Sequence, residues 1–169
     1  VDEGYFDGAT MFDWWRRKAR QSGVCYIANE VVDMSCHAGR IKSVTLASGA
    51  VIRTSTVVNA AGPRAARVAR LARLDIPVEP RPRYTFVFDA ANPPNQAVPL
   101  TIDPSGVHFR TDGQYFMAGC PPRQDGPVDC NDFTMDHNLW EEKAWPAIAN
   151  RIPAFERVRL LNSWVGHYA

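Results

Sequence analysis

Two stretches carry residues whose types and spacing could do chemistry. In VVNAAGPRAARVARLA, residues 57–72, the β-branched pair Val57 and Val58 ends a short apolar run, the mark of a buried strand. Ala60, Ala61 and Gly62 follow with almost no side chain. Pro63 then stands where a first helical residue would be, its fixed φ and missing N–H costing nothing there. Ala65, Val68, Ala69 and Ala72 continue at helical spacing. Strand, bare turn and helix in this order let a ligand approach the backbone at the carboxyl end of a strand, where open α/β sheets bind nucleotides and cofactors. The same small residues also suit close packing of helix on strand. The second stretch is VHFR, in which His108 and Arg110 share one face of a strand, as ligands or as ordinary strand residues.

Other chemistries find no support. None of the 11 glycines forms a G-x-G-x-x-G, so the fingerprint that seats a pyrophosphate on a helix N-terminus is not in this chain. Cys25, Cys36, Cys120 and Cys130 contain no C-x-x-C pair and no His at zinc-ligand spacing; they read as free thiols in a reducing compartment, and no metal site is expected. No Ser, Cys or Asp lies in a nucleophile motif. Arg64, Arg67, Arg70 and Arg73 form an i, i+3 row that tempts toward a phosphate site, but the row reads as a solvated face whose stems cover apolar surface.

The elements that must position these residues fall into two parts. Thr10 is the expected N-cap of a first helix, with Asp13 as its capping-box partner, Met11, Trp15 and Ala19 on one face and Gly23 at its end. Short strands are expected at Val24–Ile27, Glu30–Cys36, Ile41–Leu46 and Ala50–Arg53, joined by tight turns. Such hairpins cannot be a parallel sheet, which needs long crossovers. Asp75–Arg83, with prolines at 77, 80 and 82, is a stiff connector. Beyond it Tyr84, Phe86 and Phe88 alternate with Thr85 and Val87, and strands are expected at Val98–Ile102, Val107–Arg110 and Gln114–Gly119. A helix from about Asp136 to Ala144 should end at Trp145-Pro146 and resume for one turn before Pro153, with Trp140, Ala144 and Ile148 covering the sheet. Val158, Leu160 and Trp164 mark a last strand.

Composition narrows the class. A chain of 169 residues with 46% hydrophobic content suits one cored domain or two small lobes. With 19 basic and 18 acidic residues there is no bias toward nucleic acid or anionic membranes. No apolar run reaches a membrane span and the N-terminus is acidic, so the sequence reads as soluble, unexported and cytoplasmic. It begins at Val1 without Met and ends on what reads as an unfinished strand, so a fragment is expected.

The turn stretch, continued by LDIPVEPRPRYTFVF, resembles the FAD-dependent oxidoreductases of the D-amino-acid oxidase, glycine oxidase and sarcosine oxidase superfamily. DGQYFMAGCPP, LWEEKAWPAIANRIPAFE and the closing SWVGHYA are most similar to its branch of FAD-dependent oxidoreductase domain-containing proteins. The resemblance implies an α+β chain. Residues 1–75 would be part of a glutathione-reductase-type FAD-binding domain with its β-meander. Residues 76–82 would be the crossover, and 83–169 an antiparallel-sheet substrate domain covered by helices, whose last strand returns toward the FAD domain. Asp7, in the motif before the first helix, would be structural. The backbone of Val31 or Val32 would meet the adenine, and Ala60, Ala61 and Gly62 would lie against the FAD. The catalytic groups would be His108, Arg110 and Tyr168, with Tyr115 and Cys120 beside them.

Departures from the family pattern are informative. Phe109 and Cys120 fall near positions that are Tyr and His in sarcosine oxidases. Tyr168 stands where glycine and D-amino-acid oxidases carry an Arg that grips a carboxylate, and Gly166 stands where a Cys carries covalent flavin, so a non-covalent FAD is implied. The implied function is oxidation of a C–N bond of a small amine or amino acid by hydride transfer to flavin. This chain alone, lacking the fingerprint loop, is expected to bind FAD weakly or not at all and to be inactive. A non-catalytic interaction or assembly protein retaining this fold is the alternative.

Overall fold

The computed structural model describes residues 6–169, and the α+β chain divides into two units, each with its own antiparallel sheet. The first comprises the described residues up to Ala60 together with Arg67–Ile76. The second comprises Ala61–Ala66 and Pro77–Ala169.

The first unit opens with helix α1, Gly8–Gln21, capped by Asp7 and not by the expected Thr10. Asp7 Oδ1 accepts from the Thr10 amide at 3.0 Å and Oδ2 accepts from the Thr10 hydroxyl at 2.6 Å. A carboxylate three residues ahead takes both Thr10 donors, so the helix starts before the threonine. Those two bonds hold the Asp7 carboxyl below its usual range. Asp13 closes no capping box; it pairs with Arg16 and Arg17 at 2.7 and 3.3 Å. Gly23, at φ +87°, carries the chain out of the helix.

A meander follows, β1 (Val31–His37), β2 (Arg40–Leu46) and β3 (Val51–Arg53), paired in that order. Ala38 and Gly39 join β1 to β2 with φ of +49° and +70°, the two left-handed residues that a type I′ hairpin needs to match strand twist. Two expected strands do not form: Val24–Ile27 and the Val57–Val58 run belong to no ladder among the described residues. Both are apolar enough, but a strand exists only where a neighbour takes its N–H and C=O groups, and no described strand lies alongside. Val58 is accordingly 85% exposed.

Gly62–Arg64 makes a 3₁₀ turn with Pro63 in it, and helix α2 (Ala65–Leu71) continues directly. Its arginines form a charged, exposed face: Arg67 pairs with Glu30 at 3.0 Å and Arg70 with Asp75 at 3.9 Å.

The second unit is a five-stranded sheet in the order β5-β6-β7-β4-β8. β4 spans Arg81–Ala90, so the strand begins within the Pro-rich segment and before Tyr84. β5 is only Thr101–Ile102, shorter than expected because Pro99 has no N–H to give a ladder. Val98 is still tied to the sheet, its amide donating to the Thr111 hydroxyl at 2.7 Å. β6 (His108–Asp112), β7 (Tyr115–Cys120) and β8 (Val158–Tyr168) complete it. The pairing of β8 with β4 slips one residue between Val87 and Phe88, a bulge at Leu161.

One face of this sheet is sealed. Tyr84, Phe86, Phe88, Phe109, Phe116, Ala118, Cys120 and Val165 are buried against Leu139, Trp140, Ala144, Ile148 and Phe155. Phe88 sits at the centre, its ring 5.5 Å from Phe116, 5.4 Å from Trp140 and 5.2 Å from Phe155. The four-residue spacing of Trp140, Ala144 and Ile148 does cover the sheet, but the helix does not stop at Trp145-Pro146. A π-helical turn, Trp140–Ala144, runs straight into helix α3, Trp145–Arg151. Pro146 falls in the first turn of α3, where a missing N–H costs least, and the wider π turn before it absorbs the break.

Candidate functional site

Alternation along each strand assigns the second face. β6 presents His108 and Arg110; β7 presents Tyr115, Met117 and Gly119; β4 presents Arg81, Arg83, Thr85 and Val87; β8 presents Asn162, Trp164, Gly166 and Tyr168. The register lines these into rows. His108 stands opposite Gly119, Gly119 opposite Thr85, and Thr85 opposite Trp164. In the next row Arg110, Met117, Val87 and Asn162 follow one another.

His108 is half-buried, and its ring lies over the backbone of buried Gly119. Burial pushes its pKa below the usual imidazole value; the Gly106 carbonyl, which the ring bonds, opposes this, and the Arg110 charge reinforces it. Burial thus favours the neutral form of the imidazole. Arg110 donates from Nη1 to the Thr111 carbonyl at 2.9 Å and to Asp112 Oδ1 at 2.7 Å, which fixes its guanidinium beside the row. Such a face can take a proton at His108 and orient an anionic group near Arg110.

The structure brings His108 and Arg110 together and sets Tyr168 apart. Tyr168 is three strand spacings of about 4.8 Å across and four residues of about 3.4 Å along from His108. It is 62% exposed, with the Arg83 guanidinium 5.2 Å from its ring centre. Arg83 in turn holds both oxygens of Asp125, at 3.0 and 2.9 Å, and lowers the Asp125 carboxyl. Tyr115 lies at the far end of β7, opposite Asp112.

Cys120 is on the other side. It is fully buried in the aromatic core, and burial pushes its thiol up to about 11. Because side chains alternate, one residue separates the two faces, and Gly119 occupies the position beside His108. Phe109, flanked by His108 and Arg110, is likewise buried in the core. Sequence reasoning passed over Gly119, Thr85, Trp164 and Arg83; extending the alternation of Tyr115 and Met117 by one step would have found the glycine.

The expected cofactor residues are described within their own units. Val31 begins β1 opposite Leu46, and an irregularity separates it from Asp33. Ala60 and Ala61 lie outside any helix or strand. Gly62 has φ +53°, and a Cβ built on it would meet nothing within 4 Å. The glycine therefore answers to backbone conformation and leaves open space at the turn, which fits a group approaching the backbone there. Among the described residues no group of His, Cys, Asp or Glu is arranged to hold a metal ion. No described helix is long and apolar enough to cross a membrane.

The fold recurs in solved dehydrogenases and oxidases. L-proline dehydrogenase from P. horikoshii superposes with a TM-score of 0.79 at 22% identity, covering 94% of this chain and 42% of that one. Iminodiacetate oxidase from Chelativorans sp. BNC1 gives 0.75 at 18%, covering 96% and 42%. Residues 1–169 match the family described as FAD dependent oxidoreductase (DAO), and the chain belongs to that family. FAD-dependent oxidoreductase domain-containing protein 1 of Xenopus laevis is 34% identical over 99% of this chain, which spans 40% of that relative's length.

Proposed function

We propose that this chain supplies the substrate face, and part of the cofactor contacts, of an FAD-dependent oxidoreductase that oxidises a C–N bond of a small amine or amino acid. The observation that carries the reading is the half-buried His108, its ring seated on Gly119 beside Arg110 on the face opposite the sealed core, where burial favours the neutral imidazole. An ammonium substrate must lose a proton before its nitrogen lone pair can drive hydride from the adjacent carbon. His108 accepts that proton. The carbon gives up hydride, a C=N bond forms, and water later hydrolyses the imine. Arg110 orients a carboxylate where the substrate has one, and Tyr168 with Arg83 borders the same face farther along. The backbone of Val31 and the turn Ala60, Ala61 and Gly62 would help hold FAD, bound non-covalently. When bound, FAD supplies the hydride acceptor. The four cysteines, all unpaired, support a reducing compartment such as the cytoplasm.

The test is anaerobic mixing of the full-length, flavin-loaded protein with a panel of secondary amines and amino acids. Bleaching of the oxidised flavin band by at least one member is expected. A panel that leaves the flavin oxidised throughout would favour a non-catalytic interaction or assembly role on the same fold.

A further inference from the structure

We infer that Gly119 is a positioning residue, kept without a side chain so that the His108 imidazole can lie flat on β7. Of the described glycines, Gly23, Gly39, Gly49, Gly62, Gly106 and Gly113 have positive φ and answer to their backbone conformation. Gly119 does not; it sits in the interior of a regular strand, paired to both neighbours, where glycine weakens the sheet and any other residue is allowed. The reason lies across the ladder. A Cβ on Gly119 would overlap the His108 ring, coming within 2.5 Å of Cε1 and closer still to Nε2. The ring thus lies against the β7 backbone at Gly119, with the Gly106 carbonyl fixing one ring nitrogen.

The charged and titratable groups on the same face of the strands around it are Arg110 and Asp112 on β6, Tyr115 on β7, and Arg81, Arg83 and Asp89 on β4, the two arginines paired with Asp125 and Asp89 with Arg159; Cys120 on β7 faces the core, and Asp103, held by Arg151, lies just past β5. None of these need move when Gly119 is changed, so a shift in His108 reports the seat itself. The inference rests on the reading of His108 as the proton acceptor, and gives that residue a fixed orientation.

The experiment is a histidine titration by NMR on full-length protein, with His108→Gln identifying the His108 signal. In wild type His108 should titrate below the usual imidazole value. In Gly119→Ala its titration should rise to that value, and its modification by diethyl pyrocarbonate should become at least tenfold faster. Met117→Ala, a change on the same face and strand, should alter neither. If Gly119→Ala folds poorly, thermal melts of His108→Ala and of His108→Ala with Gly119→Ala decide: with the ring gone, the alanine should cost nothing. A folded Gly119→Ala protein with an unmoved His108 titration, or equal destabilisation in the His108→Ala background, overturns the inference. Should Gly119→Ala move His108 while His108→Gln leaves flavin reduction unchanged, the seat stands and the catalytic reading falls.

Discussion

Gly62 offers a test that separates backbone need from ligand approach. At φ +53° it lies in the left-handed region, where a residue with a Cβ is strained by roughly 1–2 kcal/mol and Asn is tolerated far better. Among the described residues beyond its chain neighbours, no atom lies within 4 Å of the would-be Cβ, so neither substitution meets a steric clash there. In flavin-free full-length protein, Gly62→Val should therefore lose roughly 1–2 kcal/mol in urea denaturation, and Gly62→Asn only a fraction of that. If FAD approaches this turn, both side chains fill the space it needs, and Val, stiff at χ1, cannot swing aside. Both variants should then lose at least tenfold in flavin affinity, about 1.4 kcal/mol, although only one is much destabilised. Flavin titration beside denaturation reads both quantities. Wild-type flavin affinity in Gly62→Asn would refute the reasoning and remove the Ala60–Gly62 turn from the cofactor's contacts.

Three further outcomes follow from the packing and the charges. Phe155 is fully buried among the rings of Phe88, Phe109 and Phe116, so Phe155→Ala should cost about 3–5 kcal/mol and lower the melting temperature sharply. Asp103, bonded by Ser105 and by Arg151 at 2.6 Å, is held at about 2; its contribution is present above the ordinary carboxyl value of 3.8 and lost as pH falls toward 2. Asp103→Asn should flatten that part of the acid-denaturation curve. Cys25 and Cys36 are exposed whereas Cys120 is buried with a thiol pushed up to about 11. Iodoacetamide on the native protein should label the first two and reach Cys120 only on unfolding, as mass spectrometry would show.

What the sequence made legible was what local chemistry decides. The Ala38-Gly39 turn, the aromatic alternation of β4 and the four-residue spacing of Trp140, Ala144 and Ile148 each state a conformation or a face without help from the rest of the chain. Val24–Ile27 and Val57–Val58 carry strand-like residues, yet strand formation depends on a partner that local sequence does not name. The helix running through Pro146 was hidden because a π turn, invisible to periodicity, precedes it. At the site, His108 and Arg110 were legible as one face. Cys120 drew attention by its chemistry while the neighbouring glycine, bare of chemistry, turned out to be what lies under His108.

The most direct test of the account is the pH dependence of anaerobic flavin reduction by an amine or amino-acid substrate, measured on full-length wild type and His108→Gln. In wild type the rate should fall as pH drops through a value below the usual imidazole range, where His108 becomes protonated and can no longer accept the substrate's proton. In His108→Gln that acid limb should vanish and the plateau rate should fall by about 10²–10⁴-fold, the usual worth of a positioned general base. A His108→Gln protein that reduces its flavin at the wild-type rate, with the acid limb intact, would contradict the claim that this face of the sheet does the chemistry.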